Sequence, residues 1–473
     1  MRLETLAVHA GAAPDAETGA LAPPLHLATT FEHAPDGSLP HGLVYQRTDN
    51  PTQQRFEQAL AALEHGTRAL FFGSGMAAGT ALLQSLPAGS HVLFPDDAYH
   101  GFRALALQYF ARWSLRCDFA DLSNLDAVRA ALTPRAVLLW AETPSNPLLK
   151  ISDITALAEL AHARGARLLV DNTFATPVLQ QPLTLGADIV LHSVTKYIGG
   201  HSDLMAGALV FGNGMQALAQ QAFDARATVG LHGSPFAAWL ALRGLHSLPA
   251  RMAWHQRNAH AVAMALSAHP KVARVHYPGL PQHPGHALAA RQMREFGGML
   301  SFEMAGALVF GNGMQALAQQ AFDARATVGL HGSPFAAWLA LRGLHSLPAR
   351  MAWHQRNAHA VAMALSAHPK VARVHYPGLP QHPGHALAAR QMREFGGMVS
   401  FELTGGREAA LACAGRLRLF ANATSLGGCE SLVEHRASVE GAHAVSPPGL
   451  LRLSVGLEHP DDLVGDLLQA LAD

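Results

Sequence analysis

Lys196 lies in the stretch HSVTKYIGGHSD, residues 192–203, between hydroxyl-bearing residues and glycines. The preceding run ADIVL, residues 187–191, is apolar in the way that is typical of a buried strand. Such a lysine can be an ordinary surface residue of a polar turn. Its amine can also condense with an aldehyde, which is a chemistry that enzymes use. The neighbouring groups decide between these interpretations.

Two other groups fall at comparable places in the sequence. The glycine-rich turn FFGSGMAAG, residues 71–79, joins a strand to a helix and could present backbone N–H groups to a phosphate, or it could simply be a tight turn. Asp171 ends the strand ARLLVD, where it could cap the turn DNT or pair with a protonated heterocyclic nitrogen. A phosphate turn, an aspartate and a lysine on successive strand ends together fit pyridoxal phosphate (PLP).

A dinucleotide site is an alternative interpretation of the same turn. Gly73 and Gly75 follow a strand, and Asp96 lies about 20 residues further on, as in the dinucleotide-binding fingerprint. However, Ala78 stands where that fingerprint has its third glycine. From this motif alone, a nicotinamide-dependent oxidoreductase stays open.

Composition bounds the remaining possibilities. A chain of 473 residues, 49% hydrophobic and 14% charged, is expected to form two or three globular domains. A formal net charge of zero gives no reason to expect a nucleic acid partner. No basic segment followed by an apolar core and no apolar run of membrane-spanning length occurs, so we predict a cytoplasmic protein without a membrane partner. Three cysteines without CxxC spacing fit a reducing compartment: Cys117, Cys413 and Cys429.

Short apolar runs alternate with helical segments from Pro51 to about Phe211. This alternation predicts an α/β fold whose parallel or mixed sheet is covered on both faces. Ligands bind at the carboxyl ends of strands in such folds. The segments at those ends are 73–76, 96–99, 142–146, Asp171 and 193–196. The first 50 residues, rich in Pro, Gly and His, are predicted to form an extended arm ordered by another surface.

The chain contains a long internal repeat. Residues 205–299 recur without a change as residues 304–398, at an offset of 99. Solenoid repeats are shorter and diverged, so a recent tandem duplication or a sequence-assembly artefact is the favoured origin. Because Met205 follows Lys196 closely, we predict that the first copy supplies the next strand and begins the C-terminal domain. The additional residues would then bulge out before Val399.

Four segments carry a resemblance to a known family. They are AETPSNPLLKI (141–151), LLVDNTFATPVLQQPLTLGADIVLHSVTKYIGGHSD (168–203), SLGGCESLVEH (425–435) and GLLRLSVGLEHPDDLVGDL (449–467). The chain resembles the Cys/Met-metabolism family of PLP-dependent enzymes from about Leu6 to Leu471. This implies an aspartate-aminotransferase-like fold (fold type I), with a large domain built on a mostly parallel sheet and a smaller α+β C-terminal domain. The predicted divisions are an arm, 1–50, a PLP-binding domain, 51–245, and a substrate domain with the duplicated segment, 246–473.

The resemblance assigns the cofactor site residue by residue. Lys196 matches the lysine that holds PLP and shuttles protons, and Asp171 matches the partner of the pyridinium nitrogen. The phosphate donors are the backbones of Gly75 and Met76 and the hydroxyls of Ser193 and Thr195, and Asn146 lies near the ring hydroxyl.

Two tyrosines are implied to complete the cofactor site. Tyr99 matches the residue that stacks on the ring and assists proton transfer, although His100 stands where the family usually has glycine. Tyr45 and Arg47 match the pair that reaches the phosphate of a neighbouring subunit's cofactor, with Gln46 in place of the usual serine. A homodimer or homotetramer with shared sites is therefore expected.

The substrate residues indicate the reaction. Arg452 matches the arginine whose fork clamps a substrate carboxylate, and Ser425 and Glu430 match further substrate-binding positions. Glu430 is characteristic of the gamma-synthase and gamma-lyase members, and Leu426 replaces the aromatic residue usual in beta-lyases. The resemblance favours gamma-replacement on an activated homoserine ester with cysteine, giving cystathionine, within methionine biosynthesis, cysteine metabolism and transsulfuration. Gamma-elimination is the close alternative, and an inactive or misfolded product of a duplicated gene is a further one.

Histidines at 276, 283 and 286 have roughly the spacing of metal ligands. Their segment, HYPGLPQHPGHA, is rich in proline and has no adjacent cysteine or acidic cluster. We predict structural or solvent-exposed roles for them and no metal.

Overall fold

Seven strands form the larger sheet. The computed structural model describes residues 1–269, 272–304, 334–440 and 446–472. The strands, β1 to β7, are Arg68–Phe72, His91–Pro95, Arg116–Ala120, Ala136–Glu142, Arg167–Asp171, Ile189–His192 and Gly207–Phe211. Their order is β1-β7-β6-β5-β4-β2-β3, and β7 runs antiparallel to both of its neighbours while the other pairs are parallel. The predicted mixed, mostly parallel sheet is confirmed.

Helices cover both faces of this sheet, as strands that are apolar throughout require. Helices α1 to α8 are Leu3–His9, Pro51–Glu64, Gly75–Gln84, His100–Ala104, Leu125–Ala131, Ile154–His162, Thr176–Leu179 and Gln216–Val229. Successive strand side chains point to opposite faces. Accordingly, Phe71 packs against Phe56 of α2, with ring centroids 5.0 Å apart, while Phe72 lies in another core cluster with Trp140.

The segment before α2 begins with a helix, which the prediction of an extended arm did not include. Helix α1 is fixed to the C-terminal part of the chain because the Thr5 hydroxyl donates to Asp462 at 2.7 Å and accepts the His459 N–H at 2.9 Å. The arm ends where the Asn50 side chain caps α2 by accepting the Thr52 N–H at 2.9 Å. Pro51 suits the first helical position, where no N–H is needed.

A second, five-stranded sheet lies in the C-terminal part of the chain. Strands β8 to β14 are Val272–His276, Ser301–Met304, Val371–His375, Met398–Leu403, Ala421–Asn422, Leu432–His435 and Leu450–Ser454, and the order in this sheet is β10-β11-β14-β13-β12. Helices α9 to α16 are Pro235–His246, Leu248–Ser267, His286–Gln292, Pro334–Ser366, His385–Gln391, Gly406–Arg416, Arg436–Glu440 and Pro460–Ala472. Helices α12, α14 and α16 share one buried core with the sheet. This matches the smaller α+β domain that was predicted.

The two identical segments take different places. The first copy supplies β7 of the large sheet, as predicted, and then α9, α10 and β8, which pairs with β9 in a separate two-stranded sheet. The second copy supplies α12 and β10 of the five-stranded sheet. The C-terminal sheet thus takes its edge strand from the second copy rather than the first. The second GALVF segment, 306–310, lies outside the described residues. No helix among the described residues is long and apolar enough to cross a membrane.

Candidate functional site

The carboxyl ends of β4, β5 and β6 bring the predicted cofactor residues to one edge of the large sheet. Glu142 and Asp171 are register partners at the ends of adjacent parallel strands. Lys196 follows β6 in a turn where its N–H donates to the Ser193 carbonyl at 3.1 Å. The Lys196 side chain is exposed, while the strand before it is fully buried.

A buried arginine stabilises the turn that follows Lys196. Arg251 is 4% exposed, and its guanidinium donates to the carbonyls of Tyr197 at 2.5 Å, Ile198 at 3.2 Å and Gly244 at 2.7 Å. Burial lowers the pKa of Arg251 to about 9. The bonds to the Tyr197 and Ile198 carbonyls fix the main chain directly after the lysine, and the bond to the Gly244 carbonyl ties it to α9. Sequence inspection missed this residue, because nothing in the repeated segment links it to residues 197–198.

The glycine-rich turn has the geometry of an anion site. Ser74 caps α3 by accepting the Ala77 N–H at 3.0 Å, and the helix begins at Gly75. A Cβ at position 75 would lie 3.1 Å from the Ser193 Cβ, so glycine allows the two segments to approach closely. The N–H groups of Gly75 and Met76 belong to the first helical turn, which has no intrahelical partners for its donors. They remain available for a phosphate.

Asp171 is only 8% exposed. Its Oδ1 accepts the Thr173 N–H at 3.0 Å and the Thr173 hydroxyl at 2.6 Å, so the capping role considered from the sequence is present. The same hydroxyl oxygen accepts the Ser193 N–H at 2.8 Å. Thr173 therefore links Asp171 to Ser193, one of the predicted phosphate donors, and the sequence did not indicate this link. Burial raises the pKa of Asp171 despite these two hydrogen bonds.

The Thr195 hydroxyl is engaged with the main chain. It donates to the Ala206 carbonyl at 3.1 Å and accepts the Ala206 N–H at 3.0 Å. These bonds brace the loop between Lys196 and β7. The Ser193 side chain instead lies beside Gly75. Of the two predicted hydroxyl donors to phosphate, Ser193 thus has the more direct placement.

Tyr99 precedes α4 at the same edge. Its N–H donates to Glu142 Oε2 at 3.0 Å, and its ring lies 4.4 Å from that of His100, centroid to centroid. The ring is half-buried. Asn146 is also half-buried and lies in the loop after β4, where its backbone N–H donates to Glu142. Tyr99 and Asn146 are therefore joined through one carboxyl group, whose role the sequence did not indicate.

The residues predicted to reach a neighbouring subunit lie on the surface of this chain. Tyr45 is 43% exposed, and the Arg47 guanidinium carbon lies 5.8 Å from its ring centroid. Arg47 also donates to the Ala227 carbonyl at the end of α8. Their exposure is compatible with a contact across a subunit boundary, which stays a prediction.

The predicted substrate residues lie on the C-terminal sheet and its loops. Arg452 on β14 pairs with Glu434 on β13 at 2.7 Å and donates to the Ser425 carbonyl at 3.2 Å. Glu430 lines a cavity of about 630 Å³ together with His201, which lies five residues after Lys196. Among the described residues, Arg452 thus bonds with its own sheet and a neighbouring loop.

The histidine group is bonded locally. His283 Nδ1 accepts the Gly285 N–H at 3.1 Å, and His286 Nδ1 bonds with the Pro278 carbonyl at 2.7 Å. Burial lowers the pKa of His283 to about 4. In the part of the chain that the structure describes, no three His, Cys, Asp or Glu residues are placed to hold a metal ion.

The residues at the sheet edge fit PLP. A buried carboxyl group with a raised pKa suits a cationic ring nitrogen, since an opposite charge offsets the cost of burying the carboxylate. The start of α3 suits a phosphate, and the exposed Lys196 suits an aldehyde.

Comparison with known proteins supports this cofactor. A sequence model of the Cys/Met metabolism PLP-dependent enzyme family matches residues 4–309 and 303–472. The chain is 42% identical over 473 residues to the cystathionine gamma-synthase of Mycobacterium tuberculosis, covering 99% of this chain and 96% of that protein. It is 46% identical over 307 residues to the cystathionine gamma-lyase of Dictyostelium discoideum, covering 65% and 79%.

Solved structures agree with the sequence relatives. The cystathionine gamma-synthase of Xanthomonas oryzae, solved with aminoacrylate and cysteine, is 34% identical with a TM-score of 0.60, covering 100% of this chain and 98% of that one. The cystathionine gamma-lyase of Lactobacillus plantarum, solved with L-serine, is 30% identical with a TM-score of 0.61, covering 100% and 99%. The chain therefore belongs to the Cys/Met metabolism family of PLP-dependent enzymes.

Proposed function

We propose that this chain catalyses gamma-replacement: an activated homoserine ester reacts with cysteine to give cystathionine. The observation that carries the proposal is the 42% identity over 99% of the chain to relatives named cystathionine gamma-synthase. Gamma-elimination is the second candidate, because a relative named cystathionine gamma-lyase is 46% identical over 307 residues.

In this proposal each residue at the sheet edge has its own role in binding the cofactor or in transferring protons. PLP, when bound, supplies an electron sink that stabilises negative charge at the substrate carbons. The Lys196 amine would hold the cofactor and move protons, and Tyr99 would contact its ring and assist proton transfer. Asp171 would keep the ring nitrogen charged. Gly75, Met76, Ser193 and Thr195 would hold the phosphate, and Asn146 would bind at the ring hydroxyl.

Substrate binding is assigned to the C-terminal sheet and its loops. Arg452 would bind the substrate carboxylate with its guanidinium fork. The pairing of Arg452 with Glu434 holds the fork in place between strands. Ser425 and Glu430 complete the substrate side. Tyr45 and Arg47 would reach the cofactor phosphate of a neighbouring subunit, so we propose a homodimer or homotetramer. We also propose a cytoplasmic location.

We further propose that a tandem duplication produced the repeat. The two family matches, 4–309 and 303–472, overlap where the second copy begins, which supports this origin. The proposed divisions are an arm, 1–50, a PLP-binding domain, 51–245, and a substrate domain, 246–473.

The test compares the full chain with a variant lacking residues 304–402. Both receive PLP and then O-succinylhomoserine with cysteine, and product is identified by mass spectrometry. Cystathionine formed by either chain, and lost in Lys196→Ala, supports the proposal. In a parallel incubation with cystathionine in place of these substrates, conversion of cystathionine without synthesis in the first assay supports the lyase alternative. Activity confined to the shortened chain would mean that the motifs are interpreted correctly and that the second copy disables the protein.

A further inference from the structure

Glu142 lies between three of the proposed site residues. It ends β4, whose neighbours in the sheet are β5 and β2. Strand β5 ends at Asp171, the register partner of Glu142, and β2 leads into the loop that carries Tyr99. The Glu142 residue is 9% exposed. A carboxyl group at this position is therefore enclosed by the elements that form the cofactor site.

The contacts of this carboxyl group are with the main chain of the site. Its Oε2 accepts the Tyr99 N–H at 3.0 Å, and the group also accepts the backbone N–H of Asn146. Both donors lie beyond the ends of strands, where the sheet offers no further ladder partner. A buried N–H without an acceptor is costly, so an apolar side chain in place of Glu142 would let both segments shift.

We propose that Glu142 is a positioning residue that holds Tyr99 and Asn146 in place at the cofactor ring, and that it acts as a neutral carboxylic acid. This rests on the roles assigned to those two residues in the proposed function. A carboxylic acid keeps one oxygen as an acceptor for the N–H groups. It also leaves Asp171 as the charged member of the pair.

The position of the proton follows from the surroundings. Burial and the adjacent Asp171 raise the pKa of Glu142 well above its usual value. The pKa of Asp171 is raised by burial too, but the two hydrogen bonds from Thr173 oppose that change. Two adjacent carboxyl groups in a buried site do not ionise together, so the less favoured anion keeps its proton.

The test uses Glu142→Gln and Glu142→Ala in the full chain. Gln retains an uncharged acceptor, whereas Ala removes it. PLP is titrated into each apoprotein without substrate, and binding is followed by the visible absorbance of the bound cofactor. We expect Gln to stay within about threefold of the parent in PLP affinity and kcat. Ala should lose about tenfold to a hundredfold in kcat, as expected when reacting groups are misplaced, with a smaller change in KM.

Rescue by Gln is the result that a merely stabilising carboxylate would not give. Equal losses in Gln and Ala would overturn the proposal, since the negative charge would then be what matters, and so would an unaffected Ala variant. Melting of each apoprotein separates unfolding from misplacement. If Ala does not fold, Glu142→Asp replaces it, because the shorter side chain withdraws the acceptor and should weaken PLP binding. The titration needs no homoserine ester, so it is independent of whether cystathionine is the product.

Discussion

Identical sequences occupy two different environments in this chain. Val361 of the second copy is fully buried against the five-stranded sheet, whereas Val262, the same position in the first copy, is 48% exposed. The loop after β8 in the first copy is buried instead. Its His283 is 8% exposed, and Gly285 packs beside Ile151 of the large-sheet region. Each copy thus buries a different part of its surface, and contacts with the rest of the protein decide which part that is.

The helix shared by the copies shows the same dependence. In the first copy it is divided at Ser247 into α9 and α10, and Pro249 falls in the first turn of α10, where a missing N–H costs nothing. In the second copy the same residues form one helix, α12, with Pro348 in its interior. A proline in a helix interior is unfavourable by about 3 kcal/mol relative to alanine. Local sequence therefore permits both forms, and packing chooses between them.

The largest difference is expected for a charge placed at the matched valines. Val361→Asp should lower the free energy of unfolding by about 3–5 kcal/mol, because the carboxylate would be buried without a partner. Val262→Asp should change it by less than about 0.5 kcal/mol. Urea denaturation of both variants measures the difference. If Val361→Asp were tolerated and only the double variant unfolded, the first copy would be able to replace the second in the C-terminal core.

A smaller difference is expected at the matched asparagines. Asn357 is fully buried, and its amide donates to the carbonyls of Gly456 at 3.0 Å and Glu458 at 2.7 Å, while Asn258 is exposed. Asn357→Ala should cost about 2 kcal/mol because two buried carbonyls lose their donor. Asn258→Ala is the control and should be nearly silent in the same denaturation experiment. Similar costs at both positions would contradict the assignment of the second copy to the C-terminal core.

Acidification should change the free energy of unfolding by an amount similar to that expected for Asn357→Ala, through His283 of the first copy. The pKa of His283 is lowered to about 4 by burial, so the unfolded chain binds a proton more readily than the folded one. Stability is then retained above the unfolded value of about 6.5 and lost as pH falls toward 4. His283→Asn should reduce the loss of stability between pH 7 and 5 by about 1–2 kcal/mol. His382→Asn is the matched control for the substitution itself. An unchanged loss in His283→Asn would show that its ring is not protected from protonation.

The sequence predicted the large sheet well because its strands are uniformly apolar and its turns carry glycine at fixed places. The prediction that Lys196, Asp171 and Gly75 lie at one edge followed from their positions at the carboxyl ends of strands. The sequence could not show that Thr173 joins Asp171 to Ser193, or that Arg251 supports the Lys196 turn, because these contacts join distant parts of the chain. The sequence also could not show which copy of the repeat packs in which part of the fold, since the two copies are identical.

The smallest expected effect is one that should be equal in both copies. Tyr277 donates its hydroxyl to the Gly297 carbonyl at 3.3 Å, and Tyr376 donates to the Gly396 carbonyl at 3.2 Å. Both rings are buried, and both bonds close the same loop within one copy. Tyr277→Phe and Tyr376→Phe should each cost about 1 kcal/mol, the usual value of one such bond. Hydrogen exchange at residues 297 and 396 reports each loop separately. Equal losses would show that this loop folds from its own sequence, so that the copies differ only where they meet the rest of the protein; a loss confined to Tyr376→Phe would mean that even this local bond depends on the C-terminal core.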